Sequence, residues 1–298
     1  MGHFPLHRVF DLASLRARRR QHAEPHRQPL AITRARSLAI VSGKGGTGKS
    51  VATASLARLF ARSARTLLVD ADLGVGNAHI LQGVSPTATL ADLFTGKSPR
   101  SLIERCGGGL DLIAGGSGVA RLAHVCASDL ARLGDALAEL ERDYSYLLAD
   151  CGAGISEATL AFARAADRVV VVTTPDLTAM TDAYAFLKVL GIKRTGPVPG
   201  LIVNRAPNEV VALQTAERVQ SVARRFLGRA PESLGWLPAD PLVTDSVNAR
   251  QPLIERSPTC PASRAFLSLF EHVKERLDST HPGGMGLALA AGRVAARA

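Results

Sequence analysis

The first residues that could do chemistry lie at positions 43–50, in the stretch GKGGTGKS. This stretch follows a run of apolar residues and precedes a helical pattern, so it fits GxxxxGK[ST] in the strand–loop–helix context that the pattern requires. Glycines let the backbone curl until successive amides point at phosphate oxygens, and the start of a helix adds positive potential. Lys49 would then reach the β- and γ-phosphates of a nucleotide, and the Ser50 hydroxyl would coordinate Mg²⁺. The predicted cofactor-binding residues of this stretch are Gly43, Lys44, Gly45, Gly46, Thr47, Gly48, Lys49 and Ser50, together with the next residue, Val51.

Three aspartates form a second group, because each stands at the end of an apolar run. Asp70 and Asp72 follow TLLV as the pair DAD, and Asp150 ends the run YLLAD. The carboxyl ends of parallel strands meet at one edge of a sheet, so we expect these carboxylates beside the loop 43–50. Carboxylates at such an edge can hold a magnesium ion or its water. Each aspartate alone could be a helix N-cap, but three of them at strand ends favour a site.

Short apolar runs alternate with helical patterns along most of the chain. The runs predicted as buried strands are SLAIVS, TLLVD, LDLIAG, YLLAD, RVVVVTT, GLIVN and SLGWLP. The predicted helices cover residues 49–63, 128–142, 156–166, 178–190, 209–228 and 259–279. This alternation predicts an α/β fold with an open, mostly parallel sheet and helices on both faces. Ligands of such sheets lie at the carboxyl ends of the strands, which is where both groups of candidate residues stand.

The positive charge of the chain is concentrated at its start. The 298 residues carry a formal net charge of +10, and residues 1–36 contain eight arginines and only two acidic residues. We therefore predict three parts: a basic N-terminal arm (1–36), a nucleotide-binding domain (37–279) and a low-complexity C-terminal tail (280–298). Such an arm could contact nucleic acid, anionic lipid or an acidic protein face, or it could remain a solvated tail.

Composition and cysteine spacing exclude several classes of protein. Hydrophobic residues make up 46% of the chain and charged residues 21%, which excludes bulk disorder, collagen and coiled coil. The four cysteines show no CxxC spacing, so a zinc ribbon or redox motif has no support. The sequence also lacks a signal-peptide pattern and any apolar run of about 18 residues. We therefore expect free thiols and a cytoplasmic location.

The second lysine of the loop goes beyond the generic phosphate-binding pattern. With Lys44 directly after Gly43, the string KGGTGKS resembles the deviant Walker A motif of the MinD/ParA family, which are P-loop NTPases of the SIMIBI type. This resemblance implies an ATPase that uses ATP and Mg²⁺ and forms an ATP-dependent homodimer. Lys44 would reach the phosphates bound by the opposing subunit, as an arginine finger supplied in trans does. The alternative is a surface lysine without such a role.

The resemblance also gives roles to the aspartates. Asp72, the second acid of the DxD pattern, would position the attacking water, and Asp70 would hold a magnesium-bound water. Asp150 matches the Walker B acid, and the amide of Gly152 would sense the γ-phosphate. The predicted catalytic residues are therefore Lys44, Lys49 and Asp72, and the predicted metal site consists of Ser50, Asp70 and Asp150.

Two later loops are predicted to bind the base. Asn204 and Arg205 close the run GLIVN, where the family places an asparagine that contacts adenine. Pro238 and Asp240 follow SLGWLP and match the family's loop over the base. An asparagine in a turn is also an ordinary residue, so a purely structural role for Asn204 stays open.

Longer strings resemble one branch of the family, the regulators of flagellar number named FlhG or FleN. These strings include LLVDADLGVGNAHILQGVSPTATLADLFTG and TTPDLTAMTDAYAFLK, and the resemblance covers residues 37–275. It implies a slow, partner-stimulated ATPase that acts as a dimerising switch and regulates flagellar number or placement. Two alternatives are a ParA-type partition ATPase that binds DNA non-specifically and a MinD-like ATPase of cellulose synthesis. A third is an adaptor for which the nucleotide is only a structural ligand.

The N-terminal arm contains a candidate partner element. Residues 11–16, DLASLR, look like a shortened form of the DQAxxLR element with which the flagellar branch stimulates FlhF, a GTPase of the signal-recognition-particle type. One residue is missing between Ala13 and Leu15, which rotates the following residues by about 100° on a helix. A plain basic helix start is the alternative. The branch also implies a flagellar transcription regulator or switch component as a partner.

The end of the chain is predicted to make at most a weak membrane contact. One helical face would be formed by Leu287, Ala291, Val294 and Ala298. Because this face contains no Phe, Trp or Ile, its affinity for a membrane should be small. The predicted location is therefore the cytoplasm, with peripheral contact at the inner membrane.

Overall fold

Eight β-strands form one sheet in the computed structural model, which describes residues 34–116, 125–191 and 197–292. In chain order the strands are β1 (Arg36–Ser42), β2 (Thr66–Ala71), β3 (Ile103–Gly107), β4 (Leu110–Ile113), β5 (Tyr146–Ala153), β6 (Arg168–Thr173), β7 (Gly200–Ala206) and β8 (Glu232–Pro238). They lie in the order β3-β4-β2-β5-β1-β6-β7-β8, and every neighbouring pair is parallel except β3 and β4. The prediction of an open, mostly parallel sheet is confirmed.

The described residues also contain eleven α-helices. These are α1 (Lys49–Ser63), α2 (Ala78–Gln82), α3 (Leu90–Leu93), α4 (Ala127–Leu140), α5 (Glu157–Ala165), α6 (Leu177–Leu190), α7 (Glu209–Leu227), α8 (Pro241–Asn248), α9 (Leu253–Arg256), α10 (Pro261–Asp278) and α11 (Met285–Ala290). All six predicted helices occur, with ends within two residues of the predicted positions. The other five are four to eight residues long, which is too short for a helical period to stand out.

The central strands are buried on both faces. Alternate residues of a strand point to opposite sides, so Ile40 and Leu68 pack into a cluster with α1 and α10. Their neighbours Val41 and Val69 pack into a second cluster with α4, α5, α6 and α7. The helices therefore cover both faces of the sheet, as predicted, and leave the carboxyl ends of the strands to form the site.

The strand β3 was missed by the sequence analysis. It pairs antiparallel with β4 at one edge of the sheet, and the turn between them contains Gly108 and Gly109, both with positive φ. The strand sequence IERCG is only half-buried and contains no apolar run. An antiparallel edge strand can face water, so hydrophobic patterning does not reveal it.

The helix α11 packs against α4 rather than lying free beyond the predicted domain end at residue 279. Its side chains Met285 and Leu289 are buried. The two helices approach backbone to backbone, since a Cβ atom on Gly286 would stand 2.1 Å from the amide nitrogen of Ala138. The Gly286 amide also donates a hydrogen bond to the buried Glu141 carboxylate, over 3.2 Å.

The predicted membrane face of the tail is only partly within the described residues. Leu287 and Ala291 are exposed, whereas Val294 and Ala298 lie outside the described residues. The predicted partner element, residues 11–16, lies outside them too. Among the helices that the structure describes, none is long and apolar enough to cross a membrane.

Candidate nucleotide site

The loop 43–48 joins the carboxyl end of β1 to the start of α1. Gly48 has a φ of 83°, and a Cβ atom on it would stand 2.1 Å from the Asn204 side-chain nitrogen. A Cβ atom on Gly43 would stand 2.2 Å from the backbone of Asp182. These positions therefore require glycine. Cβ atoms on Gly45 and Gly46 would meet no atom within 4 Å, so these two positions face open space.

The lysine that begins α1 is buried and paired with a carboxylate. The Lys49 Nζ atom lies 2.6 Å from Asp150 Oδ1 and 3.3 Å from the Ser50 hydroxyl. The Thr53 hydroxyl donates a second hydrogen bond to Asp150 Oδ1, over 3.0 Å. Burial lowers the pKa of Lys49, but the adjacent Asp150 carboxylate raises it by more, so the pKa lies above its ordinary value. The lysine is therefore a fixed cation.

Asp70 is fully buried beside this pair. Its Cα is in register with that of Asp150 on the neighbouring strand, so the two carboxylates meet at the sheet edge as predicted. Asp70 accepts hydrogen bonds from the Ala78 amide (2.9 Å) and the Asp72 amide (3.3 Å). Burial, with the negative charge of Asp150, raises the pKa of Asp70 to about 7, although the two amides lower it.

Asp72 stands at the start of the loop that leads from β2 to α2. One of its oxygens accepts a hydrogen bond from the Val75 amide over 3.3 Å. Its side chain is half-buried and lines a pocket of about 410 Å³ together with Gly152 and Thr159. A Cβ atom on Gly152 would stand 3.7 Å from Asp72 Oδ1, so the predicted water-orienting acid and the predicted phosphate sensor face each other.

Lys44 contacts a different element from Lys49. Its Nζ atom donates a hydrogen bond to the Thr178 hydroxyl at the start of α6, over 2.6 Å. This contact is exposed, whereas the backbone oxygen of Lys44 accepts a hydrogen bond from the buried Ser42. The backbone of Lys44 is thus anchored, and its ammonium lies on the rim of the site.

The predicted base-binding residues line one pocket of about 550 Å³ beside the loop. Within it, Asn204 Nδ2 donates to the Thr47 carbonyl over 2.8 Å. Arg205 adopts a φ of 55°, which is rare for a residue with a side chain, and its guanidinium lies 3.4 Å from the Gly46 carbonyl. The structure brings Val51, Asn204, Arg205, Pro238 and Asp240 together in this pocket.

The Asp240 carboxylate already has partners in the protein. One oxygen accepts the Leu242 amide and the other accepts the Ala262 amide, each over 3.0 Å. Burial raises the pKa of Asp240, but these hydrogen bonds lower it more, so the pKa lies below its usual range. The carboxylate thus caps α8 and binds the start of α10, and it holds the loop over the pocket in place.

The sequence analysis missed the far wall of this pocket. It consists of residues on the short helix α8 and of one aromatic residue of α10, namely Val243, Thr244, Val247 and Phe266. Phe266 lies within the predicted helix 259–279, but nothing in the sequence placed it at the pocket. The proline at the start of α8 was the one sequence signal that could have located that helix.

The residues at this edge fit ATP with Mg²⁺. The Thr47 hydroxyl is buried without a hydrogen-bond partner among the described residues, so it has a free donor for a phosphate. Ser50, Asp70 and Asp150 supply the oxygen ligands that Mg²⁺ prefers. No group of three or more His, Cys, Asp or Glu side chains in the described ranges is arranged to hold a metal alone. Phosphate oxygens and water would complete the coordination, as is usual for Mg²⁺.

The glycine-rich loop, its helix and the acids on the neighbouring strands define a P-loop nucleotide-binding protein. The family model "CobQ/CobB/MinD/ParA nucleotide binding domain" matches residues 38–253. The chain therefore belongs to this family and is an ATPase of the MinD/ParA type. The predictions of the family, of the fold and of ATP and Mg²⁺ as ligands are confirmed.

Two relatives at the level of single proteins belong to the flagellar branch of that family, and MinD proteins at 30–32% identity are also among the relatives. The antiactivator FleN of Pseudomonas aeruginosa is 31% identical over 238 residues, which cover 79% of this chain and 85% of FleN. The flagellum site-determining protein YlxH of Helicobacter pylori is 35% identical over 190 residues, which cover 63% of this chain and 64% of YlxH. The predicted resemblance to the flagellar-number regulators is thus confirmed.

A solved structure agrees with the fold. The septum site-determining protein MinD of Pyrococcus horikoshii, complexed with Mg-ADP, superposes with a TM-score of 0.69 at 24% identity. The match covers 81% of this chain and 96% of that one.

Proposed function

We propose that this chain is a slow ATPase that dimerises when it binds ATP and regulates the number or placement of flagella. The observation that carries the switch is the pair of lysines in one loop: Lys49 is buried beside Asp150, whereas the Lys44 ammonium lies on the exposed rim. One lysine is placed for the phosphates of its own subunit, and the other is accessible to a second subunit. The relatives FleN and YlxH support the flagellar role.

Each charged residue has a proposed part in ATP binding and hydrolysis. When ATP binds, the Lys49 ammonium leaves Asp150 and pairs with the β- and γ-phosphates. Asp150 is then free to hold the metal site together with Ser50 and Asp70. Mg²⁺, when bound, neutralises charge on the phosphate oxygens. Asp72 orients the attacking water from the half-buried pocket that it shares with Gly152, whose amide contacts the γ-phosphate. Lys44 of the opposing subunit stabilises the charge that develops during hydrolysis.

The base is proposed to lie in the 550 Å³ pocket, between the loop and α8. Asn204 and Arg205 stand at its inner wall, and Pro238 and Asp240 belong to the loop that covers it. Since both oxygens of Asp240 already bind backbone amides, its proposed role is to position this loop rather than to read the base.

The proposed partners follow from the branch. They are FlhF, bound through residues 11–16, and a flagellar transcription regulator or switch component. FleN is named an antiactivator, and this name supports the proposal that one partner is a transcription regulator. A cytoplasmic location with weak peripheral contact at the inner membrane is part of the same proposal. The exposed Leu287 supports that contact only slightly, since one apolar side chain buries little area.

A partition ATPase that binds DNA is the second candidate. The net charge of +10 and the exposed arginines Arg218, Arg224 and Arg225 on α7 favour it. DNA binding by the ATP-bound protein should then weaken steeply with salt, because phosphate contacts release counterions. The flagellar proposal expects no such ATP-dependent binding to random DNA.

The hydrolytic proposal is tested with Asp72→Ala. The variant should bind ATP as the wild type does, because Lys49 and the loop amides hold the phosphates, and it should accumulate as a dimer without turnover. The matched control is Asp143→Ala, which removes an acid whose ion pair with Arg100 lies outside the site. Normal turnover by Asp72→Ala would refute the role of Asp72.

The flagellar role is tested in the organism that carries the gene. Deletion should change the number or position of flagella seen by electron microscopy. The wild-type gene should restore the normal pattern, and Lys49→Ala should not. Unchanged flagella after deletion would overturn this part of the proposal while leaving the ATPase intact.

A further inference from the structure

We propose that Arg58, a buried residue of α1 outside the nucleotide site, positions the loop that carries Asp72 for hydrolysis. Arg58 would act on the short helix α2, which ends that loop, and not on ATP itself. The inference rests on the proposed role of Asp72 as the water-orienting acid.

The loop between β2 and α2 is short and held at both ends. At its start stands Asp72, and at its end the Ala78 amide donates to the buried Asp70 carboxylate over 2.9 Å. The helix α2 has only five residues, so it is too short to be stable without packing. Its position, and with it that of the loop, therefore also depends on contacts at its far end.

Those contacts are made by Gln82, the last residue of α2. Its side-chain oxygen accepts a hydrogen bond from Arg58 Nε over 2.6 Å, and its backbone oxygen accepts one from Arg58 Nη2 over 3.4 Å. Its side-chain nitrogen donates to the Ala54 carbonyl over 3.1 Å. Both partners belong to α1, and the residues Arg58 and Gln82 are only 8% and 3% exposed.

Arg58 is itself oriented by neighbours on the side away from α2. Its Nη1 atom donates to the Cys106 carbonyl over 3.0 Å and lies 3.3 Å from the Glu255 carboxylate on α9. The planar guanidinium thus binds several partners in a fixed fork, which a lysine cannot reproduce. A buried charge with this many partners requires a specific placement of every element that it contacts.

We call the contacts of Arg58 and Ala54 with Gln82 the clamp. Arg58 lies on the same helix as the lysine of the nucleotide site, so the clamp and that site share one element. The helix α1 begins at Lys49 in the phosphate loop, and Arg58 lies nine residues further along it, about 13 Å away. On its other side, α2 ends at Gly83, where a Cβ atom would stand 2.5 Å from the Arg250 carbonyl. Arg250 follows α8, which lines the base pocket. The helix α1 therefore connects the phosphate-binding loop with the end of α2.

The test measures ATP turnover and ATP affinity separately in Arg58→Lys. We expect kcat to fall by about tenfold or more, since small displacements of a catalytic group are costly, while ATP affinity changes by less than about twofold. The matched control is Arg168→Lys. Arg168 is half-buried and, like Arg58, donates to backbone carbonyls, but it lies on β6 at the opposite end of the strand from the site. This control should lose thermal stability without losing kcat.

A second variant keeps the test valid if Arg58→Lys unfolds. Gln82→Glu retains an acceptor for Arg58 but loses the donor to Ala54, and we expect it also to lower kcat more than affinity. Combining it with Arg58→Lys should cost less than the sum of the single effects, because both variants weaken the same attachment of α2 to α1. An unchanged kcat in both single variants would overturn the proposal. So would parallel losses of kcat and affinity in both.

Asp72→Ala separates the two proposals. Normal turnover in Asp72→Ala would refute the role of Asp72 in orienting water. It would also refute the proposal that Arg58 positions the loop of Asp72 for hydrolysis. A loss of turnover in Asp72→Ala with normal turnover in Arg58→Lys would refute the clamp alone.

Discussion

The Lys49 ammonium and the Asp150 carboxylate lie 2.6 Å apart, and both side chains are almost completely buried. This pair links the phosphate loop to β5 in the structure described. In the proposed function, a nucleotide competes with Asp150 for the lysine, so that binding of the phosphates would release the acid.

Removing that lysine should abolish nucleotide binding. We expect Lys49→Ala to weaken ATP binding by more than about a hundredfold, because a charge-assisted contact to the phosphates is lost. Isothermal titration calorimetry measures the change. Lys97→Ala is the control, since Lys97 pairs with Asp92 on the surface and should leave the affinity unchanged. Wild-type affinity in Lys49→Ala would refute the phosphate assignment.

Lys44 should affect dimerisation rather than binding. We expect Lys44→Ala to retain ATP affinity within about threefold but to stay monomeric with a slowly hydrolysed ATP analogue, because its contact is across subunits. Light scattering after size-exclusion chromatography measures the mass. Thr178→Ala is the matched control, because it removes the hydrogen bond that holds Lys44 while keeping the lysine, and it should still dimerise. A dimer of Lys44→Ala would contradict the role in trans.

Asp70 should make the stability of the ligand-free protein depend on pH. Burial raises its pKa from 3.8 to about 7, so between these values the folded chain binds a proton that the unfolded chain has lost. The stability from this proton is fully present below the unfolded pKa and is lost as the pH rises through about 7. The change amounts to at most about 1.4 kcal/mol for each pH unit.

Urea unfolding with and without this acid measures the effect. The side chain in Asp70→Asn stays neutral at every pH. The free energy of unfolding of this variant should therefore increase relative to that of the wild type as the pH rises from about 5 to about 8. Asp135→Asn, an exposed position on α4, should show no such trend. Parallel pH curves for Asp70→Asn and the wild type would show that Asp70 does not titrate in this range.

The contact between α11 and α4 should be intolerant of one added methyl group. We expect Gly286→Ala to lower the free energy of unfolding by about 1–3 kcal/mol, since its Cβ would stand 2.1 Å from the Ala138 amide nitrogen. Urea denaturation measures it. Leu287→Ala, on the exposed side of the same helix, should cost less. Equal stability of Gly286→Ala and the wild type would mean that α11 does not pack on α4 in solution.

The sequence alone determined the features that depend on local pattern. The loop 43–50 could be recognised because its glycines and lysine are close in sequence and directly precede a helix. Together these features form a known phosphate-binding pattern. Seven strands stood out as short apolar runs, the central ones because they are buried on both faces, and the acids at strand ends had to meet at one sheet edge. The family resemblance added the roles of Lys44 and Asp72, which spacing cannot supply.

The tertiary structure decided what depends on contacts between distant residues. Only the packed chain pairs Lys49 with Asp150, 101 positions apart, and places the Lys44 ammonium on Thr178. It also showed that Asp240 is occupied by two backbone amides, that the edge strand β3 exists and that α11 is docked. A side chain's partners are set by the elements that fold around it, and Arg58 illustrates this: in the sequence it is one arginine of a helix, and in the fold it is the buried link between that helix and the end of α2.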